Sequence, residues 1–236
     1  SYYKKLRNYN LAYCYFQQEE YLLANKYFRI YEEMTDDSLY LNDVCLRIAD
    51  SYFMNSNYLL AQKYYNKAVK YKLFDTDYAL YNRSLSLGLL SRDKEMVVLL
   101  KELINNYSNS VYYDNALFHL ANYYKNLPDY DKSIMYYSKV LESSDRKDLL
   151  AGSRLNKGVV YLNNNSLDNA IIEFLFVVDS FPKTGYFKEA VSGLQSAYTS
   201  MGQIDKYFSI IENLPSVNIS NLEQDSLVYN TGFIKF

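Results

Sequence analysis

The amino-acid sequence predicts an all-α fold built as an array of stacked helix-turn-helix units, and three observations predict it. A small residue followed three positions later by a large, mostly tyrosine, residue recurs along the chain. The large residues are Tyr15, Tyr52, Leu87, Tyr124, Tyr161 and Tyr198, with spacings of 37, 35, 37, 37 and 37. Two further series keep the same step: Ala24, Ala61, Met96, Ser133, Ala170 and Tyr207, and then Phe28, Tyr65, Leu100, Tyr137, Phe174 and Ile211. The chain also holds only 7 glycines and 3 prolines in 236 residues, too few for a fold made of many tight turns, while 49% hydrophobic residues supply a core.

Each unit can be justified in turn. In the first, Ala12 precedes Tyr15, the polar run QQEE breaks the pattern, and Ala24 with Phe28 marks a second helix. The second unit repeats this with Ala49, Tyr52, NSN, Ala61 and Tyr65. The third is a weaker copy, Ser84 and Leu87 followed by Met96 and Leu100. The fourth reads Ala121, Tyr124, NLPD, Ser133, Tyr137, and the fifth Gly158, Tyr161, NNNS, Ala170, Phe174. The sixth carries Tyr198, SMGQ, Tyr207 and Ile211. The physical logic is the same throughout: a small residue lets two helices approach, and a large ring one turn later fills the space beside them. Breaks of about four residues can join only antiparallel neighbours, and each apolar face is covered by the next unit. The units span residues 5–38, 42–75, 77–110, 114–147, 151–184 and 188–221, and residues 222–236 read as the first helix of a further unit. Met96 and Tyr207 stand where the other second helices have a small residue, so packing is expected to open or shift there.

The succession of small residue, Tyr, turn, Ala, Phe or Tyr, and then Pro resembles the tetratricopeptide repeat. The best copy is NKGVVYLNNNSLDNAIIEFLFVVDSFP, residues 156–182, with Pro182 at the family's closing proline position. The resemblance implies a right-handed superhelical solenoid that binds other proteins and catalyses nothing. Neither end of the array shows a polar capping helix, which leads to the expectation of an internal piece of a longer array whose ends can self-associate.

Composition excludes several other functions. With 25 basic and 27 acidic residues spread along the chain, net charge −2, no basic stripe is visible for nucleic acid. No apolar run approaches the roughly 20 residues that span a bilayer. Cys14 and Cys45 lie 31 residues apart without metal-ligand or redox spacing, and both are expected to be buried. The one histidine, His119, has no nucleophile motif beside it, and no glycine-rich phosphate loop exists. No catalytic residue, metal ligand or cofactor is expected.

In the tetratricopeptide family the first helix of each unit lines the concave groove. Carried onto this sequence, the groove positions are Tyr9, Tyr13 and Phe16; Arg47, Asp50 and Phe53; Tyr81, Asn82 and Leu85; Phe118, His119, Asn122 and Lys125; and Leu155, Asn156 and Val159. Some members hold a C-terminal carboxylate with a Lys/Asn pair. Here Tyr9 and Tyr13 stand in those places, so an aromatic and amide groove for an extended segment or helix is expected instead. The turns between units within residues 105–141 and 179–207 are similar to those of bacterial cell-envelope repeat proteins, notably the lipoprotein of the outer-membrane barrel assembly machinery and the Tol-associated periplasmic coordinator. That resemblance implies a periplasmic or outer-membrane-associated scaffold; a cytoplasmic adaptor, or the regulatory arm of a multidomain protein, is the alternative.

Overall fold

Helical hairpins account for all regular structure among the described residues. The structure is a computed structural model that describes residues 2–214. The further first helix expected over 222–236, and the last residues of the sixth unit, lie outside the described residues. Twelve α-helices follow in pairs: α1 (Tyr2–Gln17) and α2 (Tyr21–Glu32), α3 (Ser38–Met54) and α4 (Tyr58–Tyr71), α5 (Thr76–Leu89) and α6 (Asp93–Asn106), α7 (Tyr113–Asn126) and α8 (Tyr130–Ser143), α9 (Lys147–Asn163) and α10 (Leu167–Ser180), and α11 (Tyr186–Ser200) and α12 (Ile204–Ile211). The chain divides into two compact units after Ala116, within α7.

In the first unit α2 packs against both α1 and α3, and α4 against both α3 and α5. In the second unit α9 is covered by α8, α10 and α11. This is the arrangement expected of units that cannot bury their apolar faces alone. The repeated residues form the core. Ala12, Ala24, Ala49, Ala61, Ala121 and Ala170 are fully buried, as are Phe28, Tyr137 and Phe174. Three of the repeated tyrosines meet the residue 12 positions on across the hairpin: Tyr15 on Tyr27, Tyr52 on Tyr64 and Tyr124 on Tyr136, with ring centroids 5.5, 5.8 and 5.6 Å apart.

The turn inside the hairpins has a repeated backbone form that the residue types conceal. Glu19, Ser56, Ser91, Asn165 and Gly202 adopt left-handed conformation, with φ of 60°, 58°, 57°, 55° and 65°. The next residue's N–H in each case returns to a carbonyl five positions earlier, as in Glu20 to Tyr15 and Asn57 to Tyr52, at 2.9 and 2.8 Å. That closure caps the first helix and reverses the chain in a few residues. Gly202 alone among these has no Cβ, so it alone takes this conformation without steric cost.

Met96 packs against α5 where Gly88 leaves room for it: a Cβ at Gly88 would lie 2.9 Å from the Met96 sulfur. One expectation is corrected. Cys14 is exposed, and only Cys45 is buried. Burial pushes the Cys45 thiol up to about 12, so it is inert packing material.

Candidate functional site

The first-helix residues picked out by the groove pattern are brought together in the first unit by one hydrogen-bonded network. Asp43 on α3 accepts from the hydroxyls of Tyr9 and Tyr13 on α1, at 2.8 and 2.6 Å. One turn later, Arg47 lies 3.5 Å from Asp43 and 2.5 Å from Asp50. Asp50 in turn accepts from the hydroxyls of Tyr65 on α4 and Tyr78 on α5, at 2.7 and 2.6 Å. Four tyrosines, two aspartates and one arginine thus tie three hairpins into a single polar seam beneath an aromatic surface.

Burial and charge act together on this seam. Asp50 is 6% exposed. Its burial raises its pKa, against the pull of Arg47, Tyr78 and Tyr65. Burial also works against the charged Arg47, but Asp50, Tyr13, Asp43 and Tyr78 override it and its pKa is raised. Tyr13 is pushed up to about 12 by burial and by its bond to Asp43, so its hydroxyl stays a donor at every physiological pH. The Arg47 guanidinium also lies 5.9 Å from the centre of the Phe16 ring, which holds that ring at the surface. Tyr81 is largely buried and stacks on Tyr112, centroids 4.9 Å apart. Asn82 donates to the Tyr78 carbonyl. Phe53, Asn82 and Leu85 are half-buried, which leaves them surface to offer.

In the second unit the same positions make a smaller, more polar set. The hydroxyl of Tyr137 on α8 donates to Asn122 at 2.6 Å, and Phe118 packs edge-on against the Tyr137 ring at 5.8 Å. Lys125 donates to Asn156 on α9 at 2.6 Å, and the Asn156 amide donates to the Gly152 carbonyl at 2.8 Å. Burial lowers the pKa of Lys125, with Glu189 opposing. Val159 is half-buried, whereas Leu155 is in the core at 3% exposure. His119 is half-buried, and burial lowers its pKa below the usual 6.5. The native state therefore disfavours the His119 proton. Its contribution to stability is complete above about pH 6.5 and is lost as the pH falls through the lowered folded value. Thermal unfolding between pH 7 and 5 should show a smaller drop in melting temperature for His119→Gln than for the parent chain. Equal slopes would mean that the imidazole is as solvated in the folded chain as in the unfolded one.

Asp43 and Tyr78 are central to the seam, yet neither belongs to the groove set read from the sequence. Asp43 stands four residues before Arg47 on one helix face, and that spacing is the signal that could have found it. Tyr78 carries no such mark, since its partner Asp50 lies 28 residues away. Among the described residues no cluster of three or more histidine, cysteine, aspartate or glutamate side chains is placed to hold a metal ion. No helix among them is long and apolar enough to cross a membrane.

Comparison with known proteins agrees with this architecture. Residues 78–110 and 114–146 each match a tetratricopeptide repeat model. No curated protein matches the sequence at a significant level. Among solved structures, a tetratricopeptide repeat protein from Parabacteroides merdae is 13% identical, with a TM-score of 0.69 over 98% of this chain and 86% of its own. YrrB, a TPR protein with an unusual peptide-binding site, is 18% identical with a TM-score of 0.63, over 78% of this chain and 89% of its own. MamA is 15% identical with a TM-score of 0.60, over 78% of this chain and 94% of its own. The third and fourth hairpins thus match tetratricopeptide repeat models in sequence, and the chain is an all-α array of helical hairpins alike in fold to tetratricopeptide repeat proteins.

Proposed function

We propose that the chain is a non-catalytic scaffold that captures a peptide segment or helix of a partner protein on its first-helix face. The observation that carries this reading is the preorganised seam around Asp43, Arg47 and Asp50. Partly exposed rings such as Tyr9, Tyr13 and Phe16 are held in place by bonds and ring contacts already made in the free chain. A surface whose side chains are already ordered loses little further entropy on binding, which favours affinity. Half-buried aromatic rings with amide neighbours are also the chemistry that dominates protein interfaces. Tetratricopeptide repeat proteins are in general protein-interaction scaffolds, and one structural neighbour, YrrB, has a peptide-binding site.

The test replaces groove residues that carry little of the core. Phe53→Ala together with Leu85→Ala should weaken partner capture about tenfold, the range expected when an aromatic anchor and an apolar contact are lost. Helicity by circular dichroism should be unchanged. Partners come from pull-downs on separated envelope and cytosolic extracts of the source organism, identified by mass spectrometry. A folded double variant that captures the same partner equally well overturns the assignment of this face. We place the protein in a bacterial envelope assembly on the resemblance of its inter-repeat turns; recovery of cytosolic partners alone would move it to the adaptor reading.

A further inference from the structure

The even distribution of charge along the sequence is not even in space. In the first unit α4 carries Lys63, Lys67 and Lys70 with no acidic residue, and α2 carries Lys26 and Arg29. The one acid within α2, Glu32, is taken by Lys67 at 2.9 Å and by the Tyr64 hydroxyl at 3.3 Å. Lys63 occupies on α4 the place that Lys26 has on α2, 37 residues earlier, and both are exposed. The outward face of these two second helices is therefore basic.

An open cleft of about 410 Å³ lies on this face, lined by Leu22, Asn25, Lys26, Arg29, Ile30 and Tyr52, with Glu33 its only acid. Three features point to a ligand. Leu22 is 77% exposed, an apolar side chain with nothing covering it. Asn25 is only 7% exposed and lines the cleft, yet its side chain makes no hydrogen bond to any described residue. Its amide opens onto the cleft, and one donor plus one acceptor is what a peptide main chain supplies. Arg29 lies beside the Tyr52 and Tyr64 hydroxyls, which help to raise its pKa, and it remains at the surface as a permanent cation.

We propose that this cleft is a second binding site, distinct from the first-helix face, and that it takes an acidic segment of a partner protein. A carboxylate of the segment pairs with Arg29 and Lys26, an adjoining apolar side chain covers Leu22 and Ile30, and the segment's main chain satisfies Asn25. Guanidinium and carboxylate match in a fork geometry, so Arg29 sets the orientation. Lys63 and Lys70 extend the attraction along α4 and speed encounter with an acidic chain.

The test selects peptides from a displayed random library on the full chain and on a Lys26→Ala/Arg29→Ala variant. Peptides recovered by the parent and lost by the variant should be enriched in Asp or Glu next to an apolar residue. A synthetic peptide of that kind should lose tenfold or more in affinity when its carboxylates become amides, and the same when Leu22 becomes Ser. Glu33→Gln should tighten binding, and Phe53→Ala/Leu85→Ala should leave it unchanged, which separates this site from the first-helix face. None of these variants buries a new charge, and circular dichroism checks that each one folds. Selection of the same peptides by parent and variant, or no enrichment in acids, overturns the proposal. Saturable binding of inorganic phosphate or of phosphatidylglycerol vesicles that needs the same two cations, without acidic peptides, overturns the assignment to a protein partner.

Discussion

Replacing Phe174 with alanine is expected to lower the stability of the second unit by about 3–5 kcal/mol, the range for deleting a fully buried aromatic ring. Phe174 on α10 is fully buried among Leu155, Ala170, Val177, Leu194 and their neighbours. The ring is gripped from two sides by helices that come close because they carry glycine. A Cβ at Gly158 on α9 would lie 2.6 Å from the ring, and one at Gly193 on α11 would lie 2.5 Å from it. Backbone forms the walls of this slot, and backbone cannot relax into the space as a side chain could, so the cavity stays open. The cost should therefore fall in the upper part of the range. Urea unfolding followed by circular dichroism measures it. A loss below about 1 kcal/mol would show that the slot collapses and that the glycines are not its walls. The reciprocal change, Gly193→Ala, overfills the slot, at a cost of about 1–3 kcal/mol.

Asp50→Ala is the second large effect, about 3–5 kcal/mol, for a different reason. The aspartate is the shared acceptor for Tyr65, Tyr78 and Arg47, at 2.7, 2.6 and 2.5 Å. Its removal strands two hydroxyls and leaves the partly buried Arg47 guanidinium with only Asp43 to balance it. Asp50→Asn keeps an acceptor for the tyrosines and loses only the charge, so it should cost less than the alanine variant. If the two substitutions cost the same, the tyrosine bonds contribute nothing and the Arg47 pair carries the whole effect. The partner assay separates stability from function here. Asp50 is buried, so Asp50→Asn should alter partner binding only through the positions of Tyr78 and Arg47.

The same contrast between a repeated position and its local surroundings marks the salt bridges of the fifth hairpin. Its second helix has Glu173 where the first, second and fourth hairpins have Tyr27, Tyr64 and Tyr136. Glu173 is 5% exposed and is held by Arg154 at 2.8 Å and Lys157 at 3.0 Å, in place of the tyrosine stack. Arg154 in turn lies 4.3 Å from the centre of the Phe176 ring. A buried carboxylate with two cations is tolerated because each of its oxygens has a charged donor.

The sequence by itself determined the hairpins, their order and the members of the core. Burial at Ala12, Ala24 and Phe28 recurs at Ala49, Ala61 and Tyr65 because the same helix faces must be covered in each unit, and a periodic demand leaves a periodic pattern. The groove positions Phe16, Arg47 and Asn122 came from the resemblance to the tetratricopeptide repeat rather than from the pattern itself. What lay outside its reach depends on which chain segments meet. Asp43 joins Tyr9 and Tyr13 across 34 and 30 residues, and Asp50 joins Tyr78 across 28. Leu155 is core rather than surface, Cys14 is surface rather than core, and Gly88 makes room for Met96. Lysines that look evenly scattered along the chain gather on α2 and α4 because consecutive hairpins bring equivalent positions side by side. Pattern along a chain encodes which face of a helix is covered; which partner covers it, and which charges are left over, is settled only when the helices are packed together.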